Sequence, residues 1–306
     1  METRSMNFIT KTISTLAITV LTSTIAFADT VRIGTWNIEW LDEQSSRHQS
    51  MRSSDDYAAL ADTFAQTGIE VLSFQEVGSE GALRKVVGDD YAIEMSGRAV
   101  TYNQHQNKEL WRQYTGFVIA DGIDYVRNLD LNLDVENRNR MRHAVDITIK
   151  NNGEDYIRLL SVHLKSSCFS QPRDKCQVLD KQSKILAKWV SEREKEGAAY
   201  AIVGDFNRRM TSNRNPWFLD TLKQNKYNLK SASGIAKSQC WSKVYNRRTG
   251  SSRITQYPDY IDHIVTGEQA SNLIVEGSFK QTTPSYVNTT KYKLSDHCPI
   301  GVDFRI

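Results

Sequence analysis

Two short tetrads place acidic side chains beside other polar groups, next to apolar, strand-like runs: Gly204-Asp205-Phe206-Asn207 and Ser295-Asp296-His297-Cys298. In the first tetrad an amide lies two residues after the carboxylate. In the second an imidazole follows the carboxylate directly. If the fold brings the tetrads together, we expect an anionic pocket that suits a divalent metal ion and a water molecule attacking a phosphorus centre.

Further polar side chains lie where predicted strands end. Asn37 ends the first strand, Glu76 follows the second, and His163 lies near the end of a later one. Asp262 lies inside an apolar run over residues 260–265, where a carboxylate is costly to bury without a partner. Each of these residues by itself would be an ordinary turn or capping residue. All of them together are difficult to explain as turn residues. Side chains held at the ends of a rigid sheet are a common way to build a site.

The pattern of apolar residues places these groups on a strand-rich framework. It predicts strands over residues 31–37, 71–74, 116–120, 144–149, 157–164, 199–203, 260–265 and 300–306, and helices over 57–66, 177–195 and 217–222. Helices separate only some of the strands, which favours an α+β domain with layered sheets over regular alternation. Because no linker or repeat interrupts the chain, we expect one domain over residues 29–306.

The first residues are typical of an export signal. Arg4 and Lys11 give a basic start, residues 13–25 are mostly apolar, and Ala26-Phe27-Ala28 has the small-x-small cleavage pattern. The sequence therefore predicts a signal peptide over residues 1–28 and a periplasmic or secreted protein. The alternative is an uncleaved anchor, for which the apolar run is short.

Export changes the interpretation of the four cysteines, because an even number in an oxidising compartment indicates disulfides. Cys168 and Cys176 flank a short polar loop, so a local bridge is the first choice. Cys240 and Cys298 would form the second bridge, with a buried thiol at Cys298 as the alternative. No cysteine and histidine spacing indicates a zinc site.

Net charge does not indicate a strong nucleic-acid footprint. The formal charge is +3, and removing residues 1–28, with two basic residues and one acidic residue, lowers it by one. Local clusters could still bind phosphates. Arg208 and Arg209 follow the first tetrad, and further basic residues precede the Asp262 run and the second tetrad: Arg247, Arg248, Arg253, Lys291 and Lys293. The alternative is a solvated basic surface.

Six segments in order resemble the endonuclease/exonuclease/phosphatase superfamily, whose fold includes deoxyribonuclease I: Thr35-Trp36-Asn37, Ser73-Phe74-Gln75-Glu76-Val77, Ser161-Val162-His163-Leu164, Gly204-Asp205-Phe206-Asn207, Tyr260-Ile261-Asp262-His263-Ile264 and Ser295-Asp296-His297-Cys298-Pro299. The resemblance spans essentially the whole chain after residue 28. It implies a four-layer α/β sandwich with two central mixed β-sheets flanked by helices.

The resemblance also implies a metal site. Glu76 corresponds to the principal ligand of a catalytic Mg²⁺ or Mn²⁺, with Asn37 beside it and Asp296 sharing the ion. The resemblance neither requires nor excludes a Ca²⁺ site.

Catalytic roles carry over in the same way. His297 resembles the base that activates water, or the group that neutralises the phosphate, and Asp262 resembles the carboxylate that orients this imidazole. Asp205 and Asn207 would position the nucleophile and a phosphate oxygen. His163 would contact the phosphate and help to protonate the leaving oxygen.

Two features depart from the family pattern. Many members carry a phosphate-binding arginine on the strand before the His163 strand, and here either Arg140 or Arg142 fits that place. Arg208 and Arg209 are further candidates for binding substrate phosphate. Nuclease members often have an acidic partner for the first histidine. Glu109 is near that place but not clearly in register.

The implied reaction is metal-assisted hydrolysis of a phosphate ester. We expect a monomeric, low-specificity nuclease acting on DNA, and by extension RNA, through backbone contacts. The alternative is a sphingomyelinase-type phospholipase C or another phosphate-ester hydrolase of this fold, although no exposed apolar hairpin is evident. A non-enzymatic binding protein is disfavoured because the catalytic positions are intact.

Overall fold

The structure is a computed structural model that describes residues 30–44, 51–99, 112–136, 141–168, 171–210, 216–246 and 249–306. Its strands are β1 (Thr30–Leu41), β2 (Val71–Val77), β3 (Tyr91–Met95), β4 (Tyr114–Ala120), β5 (Tyr125–Arg127), β6 (Leu131–Asn132), β7 (His143–Asn151), β8 (Glu154–His163), β9 (Tyr200–Asp205), β10 (Lys230–Ser231), β11 (Trp241–Asn246), β12 (Ser251–Gln256), β13 (Asp262–Thr266), β14 (Lys280–Gln281) and β15 (Ile300–Arg305). Its helices are α1 (Ser54–Ala65), α2 (Glu80–Val87), α3 (Gln177–Glu196), α4 (Trp217–Lys223), α5 (Glu268–Leu273) and α6 (Tyr286–Lys291), with a 3-10 turn at Arg173–Lys175.

Most strands belong to two large mixed sheets. Sheet I has the order β14-β15-β1-β2-β4-β3, and sheet II has the order β10-β13-β9-β8-β7-β5, with β6 paired to β7. A parallel pair lies near the centre of each sheet, β1 with β2 and β8 with β9. Their neighbours β15, β4, β13 and β7 run antiparallel to them. Strands β11 and β12 form a separate hairpin.

Three apolar clusters divide the molecule into layers. Residues such as Val31, Val145 and Val203 pack between the two sheets. Helices α1 and α2 cover the outer face of sheet I, where Phe64 is buried, and α3 and α4 cover the outer face of sheet II, where Trp189 is buried. The layer order is helix, sheet, sheet, helix, which confirms the predicted four-layer α+β sandwich.

The rows of side chains between the sheets change from apolar to polar toward one end of the sandwich. Because side chains alternate along a strand, every second residue of a central strand enters this layer. The row of β1 is Val31, Ile33, Thr35 and Asn37, and the row of β8 is Ile157, Leu159, Ser161 and His163. The hydroxyls of Ser73 and Ser161 meet across the layer at 2.8 Å. The predicted site residues therefore lie at the open end of the inter-sheet core.

Helix ends follow local sequence signals. Ser53 caps α1 and forms a capping box with Asp56, so the helix begins before the predicted residue 57. Gly197 ends α3 in the left-handed conformation, with φ 65°, close to the predicted end at residue 195.

Strand boundaries differ from the sequence predictions near the site. β1 continues to Leu41, β9 reaches Asp205, and β13 begins at Asp262, so this carboxylate is the first residue of its strand rather than an interior one. The short elements β3, β5, β6, β10, β11, β12, β14, α2, α5 and α6 are absent from the prediction.

Both predicted disulfides form. Cys168 and Cys176 have a Cα–Cα distance of 5.9 Å, and Cys240 and Cys298 one of 5.7 Å. The second bridge ties the start of the β11–β12 hairpin to the residue that follows His297. Over the described residues, no helix is both long and apolar enough to cross a bilayer. The signal peptide predicted over residues 1–28 lies outside the described residues.

Candidate active site

Three neighbouring strands of sheet II bring a histidine and two carboxylates side by side. The strand register pairs His163 of β8 with Asp205 of β9, and Asp205 with Asp262 of β13. Paired residues on adjacent strands have Cβ atoms about 5 Å apart. Accordingly, Nε2 of His163 lies 3.5 Å from Oδ2 of Asp205. Sheet II alone therefore aligns three of the predicted catalytic residues.

Bulges in two strands of sheet I add two glutamates to this edge. The β1–β2 register shifts just after Asn37, and the β2–β4 register shifts just after Phe74. Glu39 and Glu76 have positive φ values of 42° and 61°, a conformation that costs about 1–3 kcal/mol per residue. Simple alternation would place Glu76 on the same face as Phe74, under the helices, so the bulge is what turns its carboxylate into the cleft.

The second tetrad is fastened to the end of β1. The Ser295 hydroxyl donates to the carbonyl of Asn37 at 2.6 Å and accepts the backbone N–H of His297 at 3.0 Å. The backbone N–H of Asp296 donates to Oε2 of Glu39 at 3.1 Å. These bonds hold the second tetrad against the end of β1 and bring Asp296 close to Glu39.

His297 forms a short hydrogen bond with Asp262, with Nδ1 lying 2.7 Å from Oδ2. Burial alone would lower the pKa of His297, but the charges of Asp262, Asp296 and Asp205 together raise it well above its usual value. The imidazole is therefore a cation at neutral pH, with Nδ1 directed at Asp262 and Nε2 lying 4.0 Å from Oδ2 of Asp205. This geometry matches the predicted orienting role of Asp262.

Asp205 is buried at the centre of the site, with 1% of its surface exposed. Its carboxylate accepts hydrogen bonds from the Asn37 amide at 3.0 Å and from the Asn207 backbone and amide at 2.7 and 3.1 Å. Burial and the charge of Asp262 raise the pKa of Asp205 to about 7. A carboxylate with this pKa can accept a proton near neutral pH.

His163 is neutral. Burial, and then the charges of Arg142 and His297, lower the pKa of His163 well below its usual value. Its Nε2 lies 3.7 Å from Oε1 of Glu76, and its buried Nδ1 has no hydrogen-bond partner among the described residues. Glu109, the acidic residue near the expected place of a partner, lies outside the described residues, and the partner of His163 stays open.

These side chains border a cleft of about 580 Å³. The predicted site residues that line it are Glu76, Arg142, His163, Asp205, Asn207, Arg209, Asp262, Asp296 and His297. Asn37 lies just behind them, bonded to Asp205. The opposite wall comes from the β11–β12 hairpin and the segment before β13, including Ser242, Val244 and Tyr257.

Arg142 is a cationic group at the cleft wall. Its Nε is buried and has no hydrogen-bond partner among the described residues, while its Nη2 donates to the Gln113 side chain. Burial lowers the pKa of Arg142, and the nearby charges of Glu76 and Asp205 oppose this effect. Arg140, the other candidate at this place, lies outside the described residues.

Arg208 departs from its predicted role in binding substrate phosphate. Its side chain is only 1% exposed, donates to the carbonyl of Cys168, and lies 5.0 Å over the Trp217 ring. It is not among the described residues that line the cleft. Neighbouring Arg209, in the same segment after β9, does line the cleft, where its Nε is 3.6 Å from Asp259.

Glu39 is a functional candidate that the sequence predictions missed. Burial, and then the charge of Asp296, raise the pKa of Glu39 to about 8, and burial raises that of Glu76 as well. Glu39 lies two residues after Asn37 on the same strand, and this spacing was the available signal. Three carboxylates thus meet at the ends of β1 and β2.

Among the described residues, one group of three side chains has its ligand atoms close together, and a second set of carboxylates lies nearby. Ligand atoms of Asp205, Asp262 and His297 lie within 4.8 Å of one another, but Asp262 and His297 are already bonded to each other. The second group, Glu39, Glu76 and Asp296, offers only oxygen donors and excess negative charge. Hard divalent cations such as Mg²⁺ prefer oxygen ligands, so the second group fits such an ion better.

Comparisons with solved structures agree with this fold. The truncated TDP2 of Caenorhabditis elegans matches with 18% identity and a TM-score of 0.58, covering 90% of this chain and 98% of that one. The AP endonuclease LMAP of Leishmania major matches with 13% identity and a TM-score of 0.57, covering 90% and 88%. A Leptotrichia buccalis endonuclease/exonuclease/phosphatase family protein matches with 18% identity and a TM-score of 0.52, covering 90% and 100%.

No curated protein matches the chain in sequence. The Endonuclease/Exonuclease/phosphatase family model, however, matches residues 34–297, a range that contains every residue of the cleft described above except Cys298. Because this match covers most of the chain, it shows that the chain belongs to the Endonuclease/Exonuclease/phosphatase family.

Proposed function

We propose that this protein is an exported, metal-dependent phosphodiesterase that hydrolyses the backbone of nucleic acids, DNA and by extension RNA, with low sequence specificity. One observation carries the proposal: acidic and cationic side chains from the ends of both sheets meet in one cleft. Glu76, Asp205 and Asp296 line the cleft together with Arg142 and His297. Such a combination suits a phosphate diester, whose negative charge the cations bind while the carboxylates serve metal and water.

The carboxylates of Glu39, Glu76 and Asp296 would hold Mg²⁺ or Mn²⁺. Burial, with a smaller contribution from the charge of Asp296, raises the pKa values of Glu39 and Glu76, and a bound cation would favour the charged form of both carboxylates. Asn37 supports the site by accepting the backbone N–H of Glu39 at 3.0 Å. A bound divalent cation would supply Lewis-acid stabilisation of the charge that develops on the phosphate oxygens.

The remaining side chains divide the proton transfers and the binding of the phosphate. Asp205, with a pKa of about 7, would accept the proton of the attacking water, and Asn207 holds this carboxylate in place. His297, kept cationic by Asp262, would neutralise a phosphate oxygen rather than act as the base. His163, being neutral, would donate a hydrogen bond to the phosphate, and the leaving oxygen would take its proton from solvent water.

The position of Arg142 on the cleft wall, beside Glu76 and His163, supports its choice as the phosphate-binding arginine. Arg209 lies on the same cleft and would contact a neighbouring phosphate. Such contacts bind the backbone without reading bases, which supports low sequence specificity. Two similar structures are named endonucleases, the Leishmania major protein and the TRAS1 domain. Both disulfides are compatible with an oxidising compartment after export, and we expect the protein to act as a monomer.

The test uses the chain from residue 29 onward with plasmid DNA, single-stranded DNA, RNA and sphingomyelin vesicles. Each substrate is incubated with Mg²⁺ or with EDTA. His297→Asn is compared with the matched control His143→Asn, because His143 is not among the described residues that line the cleft. We expect nucleic-acid cleavage that needs Mg²⁺ and His297 but not His143. Cleavage of the lipid without any cleavage of nucleic acid would refute the proposed substrate, and full activity in EDTA would refute the mechanism.

A further inference from the structure

One buried arginine bonds to two segments that are far apart in sequence and that carry two of the site's carboxylates. Arg52 precedes the cap of α1, and only 7% of its surface is exposed. Its guanidinium donates to five backbone carbonyls: those of Ile38 at 3.2 Å, Glu39 at 2.8 Å, Trp40 at 3.3 Å, Lys293 at 3.0 Å and Leu294 at 3.4 Å.

The first three carbonyls belong to the β1 bulge. Glu39 and Trp40 have positive φ values of 42° and 51°, so this backbone leaves the regular sheet pattern. Buried carbonyls need partners, and the planar guanidinium with its five N–H donors can satisfy several at once. Arg52 therefore holds the bulge in the conformation that presents the Glu39 carboxylate.

The other two carbonyls lead directly into the second tetrad. Lys293 and Leu294 precede Ser295 and Asp296, and the backbone N–H of Asp296 returns to the Glu39 carboxylate at 3.1 Å. One guanidinium thus binds the backbone of both segments that carry the carboxylates, and one hydrogen bond joins the Asp296 backbone to the Glu39 carboxylate. Arg52 and His297 are the two nearby cations whose charges oppose the rise in the pKa of Glu39.

We propose that Arg52 is a positioning residue that fixes the Glu39 carboxylate relative to Asp296 and thereby sets the affinity of the cleft for a divalent cation. This inference rests on the metal site of the proposed function. Groups that orient metal ligands from behind typically change metal affinity by about 10- to 100-fold when they are removed.

The opposite end of strand β1 offers a matched control. Arg32 also links β1 to the β15 side of sheet I, donating to the Asp303 carboxylate and to the carbonyls of Ser278 and Gly301. None of these bonds involves a residue that lines the cleft. A merely structural role for Arg52 predicts that Arg52→Lys and Arg32→Lys behave alike.

The experiment measures Mn²⁺ binding by calorimetry, together with the melting temperature, for wild type, Arg52→Lys, Arg52→Gln and Arg32→Lys. We expect Arg52→Lys to weaken Mn²⁺ binding about tenfold and Arg52→Gln more, while Arg32→Lys stays within about twofold of wild type. Affinities for Arg52→Lys within twofold of wild type, or an equal loss in Arg32→Lys, would overturn the inference.

Two further measurements keep the outcomes distinct. If both Arg52 variants fail to fold, amide hydrogen exchange of wild type decides: Mn²⁺ should protect residues 38–40 and 293–296 together, and an effect at neither segment refutes the proposal. Nucleic-acid cleavage by wild type is scored separately. Mn²⁺ binding without cleavage would refute the proposed function and leave the Arg52 result standing, whereas cleavage without detectable Mn²⁺ binding would refute the role of Arg52.

Discussion

Replacing Asp262 with asparagine tests the central geometry of the site. The substitution keeps the shape of the side chain but removes its charge, so Nδ1 of His297 loses the carboxylate that lies 2.7 Å away. Among the charges that raise the pKa of His297, that of Asp262 is the largest. We therefore expect Asp262→Asn to lower both the pKa of His297 and the activity without disturbing the sandwich.

The size of the effect follows from the bond that is lost. A hydrogen bond to a charged group contributes about 1.5–3 kcal/mol. If that stabilisation is lost from the transition state, kcat/KM falls about 10- to 150-fold. The same energy corresponds to a fall of about one to two units in the pKa of His297. Because the imidazole must be protonated to neutralise the phosphate, activity should then be lost at a lower pH on the alkaline side.

The assay records kcat/KM against pH for wild type, Asp262→Asn and Asp303→Asn on one nucleic-acid substrate. Asp303 pairs with Arg32 at the far end of sheet I, so it controls for losing a partly buried carboxylate. We expect its variant to keep the wild-type rate within about twofold. If Asp262→Asn leaves kcat/KM unchanged, and also leaves unchanged the pH at which activity falls on the alkaline side, the proposed role of Asp262 is refuted.

Three further predictions concern stability. Gly204→Ala should lower the melting temperature strongly, because the new Cβ would lie 2.0 Å from a carbonyl oxygen of β8 and Gly204 has φ 149°. Cys240→Ser combined with Cys298→Ser should cost about 4 kcal/mol of unfolding free energy in chemical denaturation, the value expected for a bridge across a sequence separation of 58 residues. In metal-free protein, the folded Glu39 keeps its proton up to a pH of about 8 while the unfolded chain loses it near 4.5, so stability should fall between these values as pH rises. Mg²⁺ should therefore raise the melting temperature more at pH 8 than at pH 5. If Glu39→Gln shows the same difference between the two pH values as wild type, this prediction is contradicted.

The central strands could be predicted because their signal is local. Apolar runs of four to eight residues bounded by turns identify buried strands from sequence. The polar residues directly after these runs, such as Glu76 and Asp205, identify the chemistry because strand ends present side chains at a sheet edge. The short strands and helices at the margins have too few residues for any periodicity to be visible.

The misplaced and missed residues share one physical cause: the sequence does not show the direction in which a side chain points. Arg208 and Arg209 are adjacent and chemically identical, yet one is buried on Trp217 and the other lines the cleft. Glu76 enters the site only because a bulge changes the alternation of its strand. A bulge depends on contacts across the sheet, such as those of Arg52, and these are invisible along the chain.

The sequence by itself determined the family, the layered fold and most residues of the site, because these reside in short motifs whose order along the chain is informative. Tertiary structure decided three matters: that Arg142 lines the cleft, that Glu39 lies near Glu76 and Asp296, and that neighbouring carboxylates raise the pKa of His297 while burial raises that of Asp205 to about 7. The reason is that the charge state and direction of a buried side chain depend on its neighbours in space. Strand pairing and the two bulges bring those neighbours from segments as distant as residues 37 and 297.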